Sequence, residues 1–144
     1  NQAIVTARAH NIPVIFIEHE FKNPVLRLLS KLFLRGAGIK GRKGFETDSR
    51  IARSAKEPVY IKNKTDVFSI DAFQEHLHRS QTDRLILAGQ DGVFCIKDSA
   101  KAGRKLGYQI TVLEAAVATT NEKRWNHERS KLLACGVQLS ESVI

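Results

Sequence analysis

The run from Arg84 to Leu113, RLILAGQDGVFCIKDSAKAGRKLGYQITVL, limits the possible folds more than any other part of this sequence. A short apolar stretch (Leu85, Ile86, Leu87, Ala88) ends in Gly89, and a tight linker, Gln90–Phe94, follows. The residues from Cys95 to Leu106 then read as a helix, and Gly107 is placed to stop it in a left-handed C-cap. Tyr108–Leu113 (YQITVL) is again strand-like. Strand, helix and strand in this order make a crossover unit, the connection that parallel strands require.

The same alternation runs along the rest of the chain. Asn1–Asn11 reads as the end of a helix, with Ile4 and Ala7 on one side. Pro13–Glu18 (PVIFIE) is a continuous apolar run, as expected of a strand buried on both faces. Pro24–Arg35 opens with the proline that suits a helix start. Arg27, Lys31 and Arg35 recur every fourth residue as one cationic stripe, and Val25, Leu26, Leu28, Leu29, Leu32 and Phe33 cover most of the rest. That much apolar surface calls for burial against the core or another subunit. Pro58–Asn63 is a second strand, Ser69–Arg79 a short helix, Arg84–Gly89 a third strand and Tyr108–Leu113 a fourth. Asn121–Cys135 is a helix capped by Thr120 or Asn121 and stopped by Gly136, and Val137–Ser140 is a last short strand. Strands alternating with helices predict an α/β fold of three layers (αβα), a Rossmann-like parallel sheet with helices on both faces.

At 144 residues the chain is expected to be one domain. Two cysteines, Cys95 and Cys135, make no disulfide framework and point to a reducing, cytoplasmic setting. The formal charge of +8 is concentrated between Lys22 and Arg53. Without interleaved aromatics or a nucleic-acid motif, this stretch reads as a solvated face, so no nucleic-acid partner is expected. No apolar run reaches the roughly 20 residues of a membrane span, and no membrane partner is expected; a membrane-surface helix over Pro24–Arg35 is the sharper alternative. Gly36–Gly41 (GAGIKG) has the spacing of a dinucleotide fingerprint, but a helix precedes it and a charged loop follows, so it reads as a loop. His76 and His78, two apart on a helix, diverge and make a poor metal pair.

Chemistry gathers at the end of the third strand. Ligands of a parallel α/β sheet bind at the carboxyl ends of its strands. There Cys95 opens a helix, and the positive field of a helix N-terminus favours the nucleophilic thiolate. The alternative is a small buried hydrophobe, the usual role of a free cysteine.

Several blocks in order then bear on the choice. A strand ends in Lys62, and Phe68 follows after five residues. A strand ends in Gly89, and Cys95–Ile96 follow after five. Ser99–Ala100 precede Gly107–Tyr108, a strand runs into Leu113–Glu114–Ala115, and a helix carrying His127 leads to Cys135–Gly136–Val137. The segment from Pro58 onward, about 85 residues, resembles the isochorismatase-like cysteine hydrolase superfamily. That resemblance implies a triad of Asp, Lys and Cys, with Cys95 the nucleophile and Lys62 the cation beside it, or Lys64 if the register slips. It also implies a cis peptide at Gln90–Asp91 and an oxyanion held by backbone N–H groups of the Gln90–Asp91–Cys95 turn. Phe68 and Phe94 are candidate substrate-pocket walls. The implied reaction is hydrolysis of a small amide or carbamoyl-type substrate through a thioester.

Departures qualify it. The superfamily's Asp lies on a first strand upstream of the segment matching Asn1–Glu18, so the domain is expected to lack that strand here. Asp66, Asp71 and Asp91 do not sit where the motif wants its base. Gly92–Val93 replace the usual Thr-Asp or Thr-Glu pair, and His19–Glu20–Phe21 break the metal-binding pattern of nicotinamidases. The reading therefore calls for no metal and no cofactor, and disfavours nicotinamidase activity. A catalytically idle member serving in binding or assembly is the alternative, and a phosphate or nucleotide binder through Gly36–Gly41 a third. The apolar helix suggests a homo-oligomer.

Overall fold

The structure, a computed structural model, describes residues 1–33, 39 and 46–144, apart from the side chains of Leu26 and Phe33. The loop expected over Gly36–Gly41 falls outside them except for Ile39, as does Arg35 of the cationic stripe. The chain divides into two compact units, Asn1–Lys64 and Thr65–Ile144.

In the first unit, helix α1 (Gln2–Ala9) leads to strand β1 (Phe16–His19), helix α2 (Pro24–Phe33) and strand β2 (Val59–Lys62). β1 and β2 pair in parallel, from Phe16 opposite Val59 to His19 opposite Lys62. β1 is shorter than the apolar run that announced it, and its residues are half-buried rather than sealed on both faces. Pro13 has no N–H to give a ladder, and pairing begins where Phe16 N–H reaches Pro58 O at 2.9 Å. Arg8 anchors α1 to the approach to β2, donating to both Glu57 carboxylate oxygens (2.9 and 2.8 Å) and to Ala52 O (2.6 Å).

α2 begins as the sequence predicts. Asn23 Oδ1 accepts from Val25 N–H at 2.8 Å, and Pro24 takes the first helical position. Of the two burials expected, against the core or another subunit, the first is not what the described residues show. Ser30 is only 2% exposed, whereas Val25, Leu28, Leu29 and Leu32, at the spacing of one helix face, are all exposed. Among the described residues the helix is seated on the side that carries Ser30, and its leucine face is exposed.

The second unit contains a 3-10 turn (Val67–Ser69), helix α3 (Asp71–Arg79), strand β3 (Arg84–Gln90), a wide π-type turn (Gly92–Ile96), helix α4 (Lys97–Lys105), strand β4 (Gln109–Ala118), helix α5 (Glu122–Ala134) and strand β5 (Gln138–Ser140). β3, β4 and β5 form a parallel sheet in that order. α4 and α5 share one face of it, where Lys101 of α4 reaches Glu128 of α5 at 3.3 Å. The core beneath them comprises Val93, Ile96, Ala100, Ile110, Val112, Trp125, Leu132 and Val137. α4 approaches closely because its inner face is Ser99, Ala100 and Gly103. Ser99 Oγ also accepts from Val67 N–H (3.1 Å), tying the 3-10 turn to α4. Gly107 and Gly136 have φ of +93° and +77°, so both helix stops take the left-handed conformation read from the sequence.

β4 extends well past Leu113, to Ala118. Leu87 pairs with Val112 but Gly89 with Val117, so β4 bulges between the two registers. The Leu113–Glu114–Ala115 block into which the strand runs lies at this bulge, and Glu114 there forms an ion pair with Arg129 of α5. The bulge carries Thr119 and Thr120 out to the level of the loop that follows β3.

Candidate active site

Beyond the carboxyl end of β3 the chain turns sharply. Gly89 has φ +119°, the Gln90–Asp91 peptide is cis, and helical structure begins at Gly92. The helix therefore starts three residues earlier than Cys95, where the sequence placed it. The N-cap is Asp91, whose Oδ1 accepts from Val93 N–H at 2.7 Å. Cys95 lies within the opening turn rather than at its tip, half-buried, whereas Cys135 is exposed.

The turn is wide because Ile96 N–H bonds back five residues to Asp91 O (3.0 Å), while Phe94 N–H reaches the same oxygen at 3.3 Å. Gly92 leaves no free room for a side chain: a Cβ there would lie 2.9 Å from Trp125 Cδ2 and 3.0 Å from Val117 Cγ1. Val93 is sealed into the core beside Trp125. Gly92–Val93, the pair that departs from the superfamily's usual Thr-Asp or Thr-Glu, thus fits the turn against α5 and β4.

Asp91 also reaches across to the end of β4. Its Oδ2 accepts from the Thr120 hydroxyl and the Thr120 N–H, each at 2.8 Å, and Oδ1 accepts from the Thr119 hydroxyl at 3.3 Å. Burial works to raise its pKa, but the bonds from Thr120, Val93 and Thr119 outweigh it and hold the carboxyl below its usual range. The other two carboxylates weighed as bases are placed differently. Asp66 Oδ1 caps the 3-10 turn through Phe68 N–H (2.8 Å), and Asp71 lies in the first turn of α3.

The two candidate pocket aromatics separate. Phe94 is 45% exposed, with the Arg124 guanidinium 5.4 Å from its ring centre. Phe68 is buried, stacked on Tyr108 (5.3 Å between centroids) and edge-on to Phe73 (5.8 Å).

In the first unit, Lys62 closes β2 and is 6% exposed, so it is not the solvated strand-end lysine that is the common case. Across the ladder stands His19, and Glu20 N–H donates to Lys62 O at 2.7 Å. Burial first, then the charge of Lys62, lowers the His19 pKa. Glu18 is occupied by Thr47, whose N–H (2.8 Å) and hydroxyl (3.0 Å) both donate to Oε1. Among the described residues no three His, Cys, Asp or Glu side chains are grouped to hold a metal, and no helix is long and apolar enough to cross a membrane.

Sequence reasoning missed the partnership of Asp91 with Thr119 and Thr120. The signal was an Asp immediately before a glycine that opens a helix, a familiar cap; the partners lie 28 and 29 residues away and only folding joins them.

The family model for the isochorismatase domain matches residues 1–142. N-carbamoylsarcosine amidase from Thermoplasma acidophilum superimposes with a TM-score of 0.80 at 23% identity, over 96% of this chain and 78% of that one. An isochorismatase family protein from Desulfovibrio vulgaris subsp. vulgaris str. Hildenborough gives 0.84 at 20%, over 95% and 75%. Nicotinamidase from Bacillus subtilis gives 0.79 at 20%, over 94% and 78%. No curated protein sequence matches the chain. These likenesses show the fold, the three-layer α/β architecture with a Rossmann-like parallel sheet that the alternating strands and helices predict. With its blocks from Lys62 to Val137 in order and the family model matching residues 1–142, the chain belongs to the isochorismatase-like hydrolase family.

Proposed function

We propose that the protein is a cysteine-dependent hydrolase that cleaves the C–N bond of a small amide or carbamoyl-type substrate. The observation that carries this reading is Cys95: half-buried, on a turn held from three sides, past the carboxyl end of a parallel strand, in a chain of this family. Solved structures of similar fold include an N-carbamoylsarcosine amidase and a nicotinamidase.

In the proposed reaction Cys95 Sγ attacks the substrate carbonyl, and the backbone N–H groups of Asp91 and Cys95, in the turn that follows Gln90, receive the developing oxyanion. The C–N bond breaks, and the amine leaves with the proton given up by the thiol. Water then hydrolyses the thioester, releasing the acid and restoring the thiol. Lys62 is the cation that the family resemblance assigns to the nucleophile, and Phe94 is a pocket wall. Asp91 is not the proton acceptor, because both its carboxylate oxygens are already engaged. The family resemblance assigns that task to the superfamily's Asp. No cofactor enters the scheme.

Ammonia or amine release from a panel of small amides and ureido acids tests the reading. Turnover of at least one substrate is expected, with loss of about 1,000-fold or more in Cys95→Ser. Lys62→Ala is expected to lose a comparable amount. At neutral pH iodoacetamide should label Cys95 faster than the more exposed Cys135. Equal labelling of the two, or turnover that survives Cys95→Ser, sinks the proposal.

The open leucine face of α2 favours a second reading, a family member used in assembly, which is compatible with activity or replaces it. We place a second copy of this chain on that face. Turnover of any amide that Cys95→Ser abolishes removes the idle version.

A further inference from the structure

The turn that bears Cys95 is organised by one residue. Asp91 receives the N–H groups of Val93, Phe94 and Ile96, the first on its carboxylate and the other two on its carbonyl oxygen. These flank Cys95 on both sides, and the N–H of Cys95 is not among the groups Asp91 takes. The same carboxylate takes three more bonds from Thr119 and Thr120, at the end of the neighbouring strand. Asp91 is buried, and so is Gly92 after it, pressed against Trp125. A buried carboxylate with this many donors is costly to leave unmet, so the geometry that satisfies it is strongly specified.

From this geometry we infer that Asp91 and Thr120 form a positioning clamp that sets the backbone around Cys95 for acyl transfer, without touching substrate. The inference rests on the proposed role of Cys95 and adds to it. The clamp acts on main-chain direction. It should therefore matter for a reaction that builds a tetrahedral oxyanion on the N–H groups of Asp91 and Cys95, which Asp91 does not itself engage, and matter less for simple displacement at sulfur.

Two probes separate the cases on one thiol. p-Nitrophenyl acetate acylates Cys95 through an oxyanion, whereas iodoacetamide alkylates it by displacement with no oxyanion at carbon. Mass spectrometry of the Cys95 peptide gives both rates, and their ratio is the readout. We expect Asp91→Ala to lower the acylation-to-alkylation ratio at least tenfold. Thr120→Val, which removes one hydroxyl and keeps the shape and the backbone N–H, should lower it about threefold, and Thr120→Ser should restore it to within twofold of wild type. A residue that only stabilises the fold would lower the melting temperature and leave the ratio alone. An unchanged ratio in folded Asp91→Ala overturns the clamp. If that variant does not fold, an unchanged ratio in Thr120→Val overturns it equally. Failure of the wild-type Cys95 to acylate at all overturns the hydrolase reading first, and the clamp falls with it.

Discussion

Two glycines show how tightly single residues are specified. A Cβ on Gly103 would meet Ile110 Cδ1 at 2.6 Å and Phe68 Cε2 at 2.9 Å. Alanine favours a helix over glycine by about 1 kcal/mol, but overpacking costs about 1–3 kcal/mol. Phe68 is wedged between Phe73 and Tyr108 and cannot swing away. Gly103→Ala should therefore be destabilising by about 1 kcal/mol net, read as a lower urea midpoint with unchanged slope. Gly92→Ala, which meets the Trp125 ring, should cost more, about 2 kcal/mol, and shift the tryptophan emission. His19 gives a pH prediction. Its pKa is held below the ordinary 6.5, so the unfolded chain binds the proton more readily than the folded one. The stability contributed by neutral His19 is complete above that ordinary value and is lost as pH falls below it. The melting temperature should drop on going from pH 7.5 to 5.5, and His19→Gln should flatten the drop. None of this is legible one residue at a time. Gly103 reads as a weak spot in a helix until the rings it accommodates are in place.

At the scale of elements, the sequence placed helices and strands well and misjudged several of their ends. Of the two caps the sequence offers for α5, Thr120 and Asn121, it is Asn121 that serves, its Oδ1 accepting from Arg124 N–H at 2.9 Å. Asn121→Ala is expected to cost about 1 kcal/mol, visible in thermal unfolding. Caps, proline starts and glycine stops are local signals, and they survive folding unchanged. The start of the helix after β3 was misplaced because its first residues, Gly92 and Val93, carry no helical periodicity. What makes them helical is the Asp91 cap and the contact with Trp125, and one of these is a long-range event. β4 was read short for the same kind of reason. Glu114–Ala116 break the apolar run, and the strand resumes only because Gly89 and Gln90 offer it partners beyond the bulge.

At the scale of the whole molecule, α2 is where composition and structure pull apart. Leucines at helix spacing predict burial, yet Leu28 and Leu32 are 57% and 67% exposed. If a second copy covers them, Leu28→Glu with Leu32→Glu should convert the oligomer to a monomer on gel filtration at unchanged helix content. A wild-type protein already at monomer size would rule that out. By itself the sequence determined the α/β class, the order of strands and helices, the family and the cysteine to watch, because periodicity, caps and motif spacing are properties of neighbouring residues. Only the tertiary structure decided that Lys62 is buried, that Phe68 belongs to the core while Phe94 faces outward, and that Asp91 is held by the end of the next strand. Those outcomes depend on which distant side chains arrive beside them, and a linear pattern does not carry that information.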